Sequence, residues 1–260
     1  MQRLSLIIIL FFFCSFVIKD KPARIVIKTK LDYFTTDNIG NIYTVKEDEL
    51  IKYLPSGKFF ARYSNLKFGT ITSVDATNAL KLVLYYRDFQ QIVFLDNQLS
   101  LNSEPVSLEK MGYEQTDLVC ASANNGFWIY NKQNNELIRF NEASKKIAAT
   151  GNLKQVLQAD LSPNYMLEHN GYLFLNSPET GLYVFDMFGA FSKIISLKDL
   201  KQFQVSDDVI YFKKDGGLCS YNYKLFEEAC KKIPSAEQAL KIQFNKNRIY
   251  CGFKDSVVVY

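Results

Sequence analysis

A two-strand unit that recurs about every 41 residues constrains the fold of this chain more than any other feature. Residues 170–189, NGYLFLNSPETGLYVFDMFG, show the unit most clearly, as two apolar strands separated by a polar turn. Further copies cover residues 41–58, 81–98, 126–144, 209–225 and 248–260. The second strand of the copies ends at Leu54, Leu95, Phe140, Phe185, Tyr221 and Tyr260, at separations of 41, 45, 45, 36 and 39 residues. One copy is too small to bury its own faces, so the copies must stack.

Six copies at this period predict an all-β fold, a β-propeller of six four-stranded blades, with five or seven blades as alternatives if one hairpin is miscounted. Aromatic residues make up 15% of the chain, which suits strands that pack face to face. No copy contains a stretch of helical period in its hairpin, which argues against a helical solenoid. Residues 152–161 are compatible with a helical turn between two blades.

One predicted strand stands outside the repeats. Residues 22–30, PARIVIKTK, predict a strand over Ile25–Lys28, whereas the last repeat lacks an outer strand. Pairing the two would close the ring and remove the exposed sheet edges. The alternative is that this segment is a free N-terminal linker.

Two copies carry a recognisable motif. Residues 37–43, DNIGNIY, are followed by a polar stretch and by LIKYLPSG at residues 50–57. Asn170–Tyr172, with Asp186 and Gly189 after the second strand, follow the same pattern. These copies resemble the repeats of NHL-type propeller proteins, and the resemblance implies the propeller fold over most of the chain. Its motif residues are turn formers and core residues, so it assigns no catalytic role.

The N-terminus has the architecture of a signal peptide. Arg3 precedes an apolar run over residues 4–13, and a polar segment starts at Lys19. The apolar stretch 4–18 is shorter than the roughly 20 residues that a membrane-spanning helix needs. We therefore predict a signal peptide, or an uncleaved anchor, at residues 1–18, and a single propeller domain at residues 19–260.

This N-terminus predicts export to the periplasm, outer envelope or extracellular space of a bacterium. Cys14 follows the apolar run, where a lipoprotein signal places its lipidated cysteine. Phe13 occupies the preceding position, where a small residue is expected, so lipidation is the disfavoured alternative. Membrane contact is expected only through this segment, if it is retained or lipidated.

Charge and residue spacing argue against several functions. The net charge is +4 and the lysines occur in separated pairs, so no nucleic-acid partner is expected. Metal-ligand spacings, phosphate-binding glycine loops and calcium loops are absent from the sequence, which predicts no metal and no cofactor. The single histidine, His169, lies at a predicted turn, and no catalytic triad can be argued from it. We predict that the protein is not an enzyme.

The loops that join the two strands of each hairpin should fall on one face, which we predict to be the binding surface. They are Lys46–Glu49, Arg87–Gln90, Asn131–Asn135, Asn176–Thr180, Lys213–Gly216 and Phe253–Asp255. Individual candidates in or beside these loops are Tyr86, Arg87, Asp88, Phe89, Asn134, Glu179, Lys214 and Lys254.

Two of the candidate features have a structural alternative. The run Tyr86–Phe89 places an Arg-Asp pair between aromatic residues, and such residue types anchor binding surfaces. Its alternative is a turn salt bridge beside a packed tyrosine. Trp128 is the only tryptophan, and it is predicted either to pack between blades or to stack on a sugar.

A disulfide is predicted between Cys219 and Cys230 in the fifth repeat. A hairpin that turns at residues 223–226 sets these two residues opposite each other on neighbouring strands. Oxidising conditions after export would allow the bond. The alternative is two buried thiols, like those expected for Cys120 and Cys251.

These features predict an exported propeller that acts as a rigid interaction or ligand-binding module. Its partner would be a protein, a small ligand or a glycan held on one face. The alternative is an NHL-like lyase or hydrolase that acts on a glycan or peptide. Convergent acidic or histidine side chains at the central channel would favour the enzyme, whereas apolar, Asn and Lys residues there would favour binding.

Overall fold

A computed structural model describes residues 24–260, which form six four-stranded antiparallel sheets arranged as the blades of a β-propeller. The predicted fold class and the predicted blade number are confirmed. The signal peptide or anchor predicted at residues 1–18, with Cys14, lies outside the described residues. Within residues 24–260 no helix is long and apolar enough to cross a membrane.

Each blade runs from an inner strand at the central channel to an outer strand at the rim, and inner strands contact those of neighbouring blades. The first strand of the chain is β1 (Ile25–Lys28), which belongs to the last blade. Blade 1 is β2 (Tyr33–Thr36), β3 (Ile42–Lys46), β4 (Glu49–Tyr53) and β5 (Phe59–Ser64). Blade 2 is β6 (Ser73–Asp75), β7 (Leu82–Tyr86), β8 (Gln91–Leu95) and β9 (Val106–Ser107). Blade 3 is β10 (Thr116–Ala121), β11 (Phe127–Asn131), β12 (Glu136–Phe140) and β13 (Lys146–Ala149).

The second half of the ring follows the same plan. The short helix α1 (Leu153–Leu157) precedes blade 4 and lies in the segment expected to hold a helical turn. Blade 4 is β14 (Tyr165–His169), β15 (Tyr172–Ser177), β16 (Gly181–Asp186) and β17 (Phe191–Ile195). Blade 5 is β18 (Phe203–Ser206), β19 (Val209–Lys214), β20 (Gly217–Asn222) and β21 (Glu227–Lys232). Blade 6 is β22 (Lys241–Asn245), β23 (Arg248–Gly252), β24 (Ser256–Val259) and β1.

The N-terminal strand closes the ring, as predicted. β1 pairs antiparallel with β24, with Ile25 opposite Val259 and Lys28 opposite Ser256. Ile27 is buried in a cluster with Phe34 of blade 1. The two ends of the described chain therefore share one blade, and this blade packs on blade 1.

The antiparallel order of the strands defines two faces of the propeller. We call the upper face the one that carries the turns between the second and third strands of each blade. The connections from one blade to the next lie there as well. The lower face carries the turns between the first and second strands and between the third and fourth strands. The hairpin loops predicted as a binding surface thus all lie on the upper face.

The core consists of apolar layers between neighbouring blades, because alternate side chains of each strand face opposite sides of its sheet. Tyr43 and Leu50 of blade 1 pack with Leu84 and Tyr86 of blade 2 in one such layer. Tyr86 is completely buried, which removes it from the predicted binding surface. Trp128 is likewise completely buried between blades 3 and 4, so packing between blades, and not stacking on a sugar, is its role in this structure.

Cationic side chains join neighbouring blades on the lower face. A lysine or arginine of one blade donates a hydrogen bond to a backbone carbonyl in a turn of the next blade. The oxygens of these turns would otherwise lack a partner from their own sheet. These hydrogen bonds join Lys52 Nζ to Asn97 O (2.6 Å), Arg139 Nη1 to Met187 O (3.1 Å) and Arg248 Nη1 to Pro55 O (2.9 Å).

Cys219 and Cys230 lie directly opposite each other on β20 and β21. Their Cα atoms are 4.0 Å apart and a disulfide joins their sulfurs. Cys120 and Cys251 are free and buried. Cys219, Glu228 and Cys230 are the one group with metal-ligand spacing among residues 24–260, and the disulfide removes both of its thiolates.

Candidate functional site

A cavity of about 170 Å³ opens at the upper end of the central channel. Inner strands from several blades contribute its lining, which includes Tyr33, Asp75, Tyr165 and Lys241. Tyr33, Tyr165 and Lys241 are each the first residue of an inner strand. Asp75 is the last residue of the three-residue inner strand β6. The propeller ring thereby gathers residues from distant parts of the sequence around one small volume.

Lys241 is one of two cations that line this cavity, the other being Arg87. No hydrogen-bond acceptor among residues 24–260 pairs with its ammonium group, which lies 5.9 Å from the centre of the Phe34 ring. Burial lowers the pKa of Lys241 to about 8, and the negative charge of Asp75 only partly opposes this effect. Buried amines lose their proton more readily because the low-dielectric interior disfavours the charged form.

The carboxylate of Asp75 is already engaged by backbone donors. Its Oδ2 accepts a hydrogen bond from Ala121 N of the next blade at 2.9 Å, and its Oδ1 accepts one from Thr77 N at 2.9 Å. Asp75 therefore links blades 2 and 3, and Lys241 has no direct ion pair with it. The Lys241 ammonium therefore lines the cavity without an ion pair among the described residues.

Two tyrosines contribute hydroxyl groups to the polar lining of the upper cavity, which also includes Thr72, Asn164 and Gln202. The hydroxyl of Tyr33 is buried and finds no hydrogen-bond partner within residues 24–260. Burial raises the pKa of Tyr33 and that of Tyr165, so both hydroxyls keep their protons near neutral pH. Each can donate a hydrogen bond. A cation and two phenolic donors suit a ligand group that carries negative charge or hydrogen-bond acceptors.

A larger cleft of about 650 Å³ adjoins this cavity on the upper face, between blades 5 and 6. The cleft and the cavity share Tyr33, Gln202 and Lys241. Lys213 and Lys214 also line the cleft. Lys213 donates hydrogen bonds to backbone carbonyls of the connection before blade 6, including that of Ala239, so it holds the wall of the cleft.

Most of the predicted site residues are exposed on this same upper face. The exposed set is Arg87, Asp88, Phe89, Asn134, Glu179, Lys214 and Lys254. Arg87 lines the upper cavity and donates from Nη2 to Asp117 O at 3.0 Å, whereas Lys214 lines the cleft and pairs with Glu228 at 3.1 Å. The remaining five lie on four upper-face turns, with Asp88 and Phe89 on the same turn as Arg87.

A third cavity, of about 400 Å³, opens on the lower face. Several asparagines of the turns line it, together with Glu168 and His169 from the end of β14. The Nε2 atom of His169 is buried and has no hydrogen-bond partner within the described residues. Burial lowers the pKa of His169, and the charges of Asp207 and Asp208 partly oppose that effect.

Glu168 is saturated by hydrogen-bond donors. Its Oε2 accepts from Trp128 Nε1 at 2.6 Å and from Ser122 Oγ at 2.5 Å, and its Oε1 accepts from Ala123 N at 2.9 Å. Arg139 Nε lies 3.9 Å from the same carboxylate and donates to Ser122 Oγ at 2.7 Å. This network joins blades 3 and 4 and engages both carboxylate oxygens of Glu168.

Sequence reasoning missed the residues that form the upper cavity. Lys241, Tyr33 and Tyr165 lie in or beside inner strands, outside the two-strand unit whose repetition is visible in the sequence. The usable signal would have been their shared position at the start of the strand that precedes each unit. Sequence reasoning did find the exposed upper turns, because these lie inside the unit.

Fold and cavities together define a six-bladed β-propeller with an open, polar channel mouth. No protein-family profile matches the sequence, and no curated protein is significantly similar to it. The structure is similar to that of a streptogramin B lyase, with a TM-score of 0.57 and 10% identity over 91% of this chain and 97% of that one. At this level of identity the likeness shows the fold alone.

Two other solved propellers are similar to the same extent. One is the extracellular domain of a putative one-component system from B. thetaiotaomicron, with a TM-score of 0.55 and 14% identity over 87% of this chain and 32% of that one. The other is BBS1N in complex with ARL6DN, with a TM-score of 0.55 and 10% identity over 87% of this chain and 75% of that one. An enzyme, a sensor domain and a protein in a complex thus share the fold.

Proposed function

We propose that this protein is an exported, non-catalytic β-propeller that binds a ligand or protein partner on its upper face. The observation that carries the proposal is the channel mouth, where the Tyr33 hydroxyl is buried without a hydrogen-bond partner and Lys241, which lines the same cavity, has no ion pair within the described chain. Unpaired polar groups in a cavity are costly to keep, and a ligand that pairs with them recovers that cost. The adjoining cleft gives access from solvent.

Export is the second part of the proposal. The signal-like sequence of residues 1–18 and the disulfide between Cys219 and Cys230 both support it, since disulfides persist in oxidising compartments. The similar structures include an extracellular domain and a propeller in a protein complex, which agrees with an interaction role at the level of the fold.

Site-specific photo-crosslinking in the cells that make the protein tests the binding surface. A photo-reactive amino acid replaces Asp88 or Lys214, both exposed on upper-face turns. We expect a defined adduct from each position, identified by mass spectrometry. Lys146 on the outer strand of blade 3 is the matched control, because it is exposed at the rim. Adducts of equal yield at all three positions, or at none, would contradict the proposal.

The enzyme alternative rests on the lower cavity, where Glu168 and the unpartnered His169 lie side by side in sequence. One of the similar structures is a catalytically inactive histidine-to-alanine variant of virginiamycin B lyase from Staphylococcus aureus, bound to quinupristin. If this chain is a lyase or hydrolase, it should convert members of a glycan and peptide panel, and His169→Ala should abolish the conversion. Our proposal expects no conversion by either form.

A further inference from the structure

The charged groups that line the upper cavity are not paired with one another. Two cations, Lys241 and Arg87, and two carboxylates, Asp75 and Asp117, belong to the lining. Neither cation takes part in an ion pair among residues 24–260. Within the same residues the Arg87 guanidinium donates only to a backbone carbonyl, that of Asp117, at 3.0 Å. Both positive charges therefore lack an anionic partner in the described chain.

The two carboxylates of the cavity, by contrast, are already engaged by the protein. Asp75 Oδ1 accepts hydrogen bonds from Thr77 N at 2.9 Å and from Thr77 Oγ1 at 2.7 Å, and Asp75 Oδ2 accepts one from Ala121 N at 2.9 Å. Asp117 Oδ2 lies 3.5 Å from Lys132 Nζ. The charge that remains without compensation in the cavity is therefore positive, and a ligand that compensates it must be anionic.

A phenol supplies a neutral donor beside these cations. The hydroxyl of Tyr165 lines the cavity, keeps its proton because burial raises its pKa, and has no hydrogen-bond partner among residues 24–260. A carboxylate has two oxygens, so it can accept from an ammonium and a phenol at once. A phosphate fits less well, because its second negative charge would meet those of Asp75 and Asp117.

The volumes of the two openings divide the ligand into an end group and a body. The upper cavity, at about 170 Å³, holds about six water molecules of about 30 Å³ each and is smaller than the roughly 300 Å³ of typical small-molecule pockets. The adjoining cleft, at about 650 Å³, falls within that typical range. Since Gln202 and Lys241 line both, one molecule can place its end in the cavity and its body in the cleft.

The cleft itself does not select a net charge. Its lining contains four lysines and four acidic residues: Lys201, Lys213, Lys214 and Lys241, with Asp32, Asp199, Asp215 and Glu237. Leu240, also in the lining, is 43% exposed and offers an apolar contact. A neutral, partly apolar body therefore suits the cleft, whereas the preference for an anion arises in the cavity.

We propose that the ligand of the upper face carries a carboxylate that binds the Lys241 ammonium and the Tyr165 hydroxyl, and that its neutral body extends into the cleft. Arg87 adds a second positive charge to the lining. The inference rests on the proposed function, because it assigns the ligand chemistry of that same site. A small organic acid and the C-terminus of a peptide can each supply the carboxylate.

Saturation-transfer NMR with matched acids and amides tests the inference on the full chain. Hexanoate and 4-phenylbutyrate are compared with their primary amides, and an acetylated tripeptide with a free C-terminus is compared with its amidated form. We expect acids to bind with a dissociation constant of about 1 mM or below, and their amides at least about tenfold more weakly. The relative affinities of the small acids and the tripeptide distinguish the two sources of the carboxylate.

Three variants connect this binding to the cavity. Lys241→Met should weaken the binding of acids about tenfold or more and leave that of amides unchanged, since it removes the charge and keeps an unbranched side chain. Tyr165→Phe, which removes only the hydroxyl, should weaken acids several-fold. Lys254→Met is the control, because Lys254 is exposed on an upper-face turn and lines neither opening. Urea unfolding verifies that each variant is folded.

Several outcomes would overturn the inference. Equal affinity for acids and amides would exclude a carboxylate preference and leave the upper-face binding role in place. Acid binding that survives in Lys241→Met would lie outside the cavity. Absence of acid binding would also reject the carboxylate, and the proposed function would then be decided separately by the crosslinked adducts from positions 88 and 214.

Discussion

Glu168 shows how one carboxylate can hold two blades together. It accepts three hydrogen bonds from blade 3 and lies near the buried guanidinium of Arg139, although it belongs to blade 4. We expect Glu168→Gln to lower the free energy of unfolding by about 3 kcal/mol, because the amide puts a donor against donors and leaves Arg139 without its anion. Urea unfolding measures the change.

Glu179→Gln is the matched control for this substitution, since Glu179 is exposed on an upper-face turn. Its free energy of unfolding should stay within about 0.5 kcal/mol of the parent. If Glu168→Gln is equally silent, the network around Trp128 contributes little to the joint between blades 3 and 4.

Lys241 should make the free energy of unfolding rise with pH, which is opposite in sign to the effect of a lysine in an ion pair. The folded state lowers the Lys241 pKa to about 8 from the ordinary value of 10.5, so it binds this proton less tightly than the unfolded chain does. The buried charge therefore reduces stability below about pH 8, and this loss disappears as the pH rises toward 10.5.

Lys241→Met isolates this effect. Below pH 8 the variant should be more stable than the parent by up to about 3 kcal/mol, and the difference should vanish above about pH 10.5. Chemical unfolding over this pH range measures the difference, and Lys246→Met, at an exposed position, supplies the control. A difference that does not change with pH would mean that the Lys241 ammonium is solvated in the folded protein.

At the scale of strands, the hairpin of β20 and β21 carries the disulfide. Residues 19–260 contain four cysteines, of which two should resist alkylation in the unfolded, unreduced protein and all four should react after reduction. Intact-mass measurement distinguishes the two cases. The loop is short, so reduction should cost about 3 kcal/mol of stability or less. Four alkylated cysteines without reductant would also argue against export.

The sequence predicted the strands that alternate regularly and missed those that are short or polar. The second and third strands of each blade are long and apolar, because both of their faces pack against neighbouring blades. The inner strand β6 has three residues and the outer strand β9 has two, which is too few to show a period. Turns could be predicted at residues such as Gly40, because its φ of +92° is a backbone conformation that glycine adopts readily and most other residues do not.

The candidate site was harder to predict for a topological reason. Tyr33 comes from blade 1 and Lys241 from blade 6, and they meet only because the ring closes. No spacing in the sequence records that contact. The sequence left Trp128 and Tyr86 open between a binding role and a packing role, since aromatic residues that bind ligands and those that pack between blades have the same pattern along a strand, and both side chains are buried.

At the scale of the whole molecule, the upper cavity depends on the inner strands of several blades being in place. Blade 6 is the one blade built from both ends of the described chain, because β1 pairs with β24. Closure of the ring is therefore the step on which the geometry of the upper cavity depends.

Neighbouring residues of β1 provide a matched test of that closure. Ile27 is buried against blade 1, and Val26, on the opposite face of the same strand, is about half exposed. Ile27→Ala should lower the free energy of unfolding by 2–5 kcal/mol, as expected for about three buried methyl or methylene groups, and Val26→Ala should lower it by less than about 1 kcal/mol. Thermal and urea unfolding should each show one transition for both variants. Equal losses from the two substitutions, or no loss from either, would mean that β1 does not close the ring in solution.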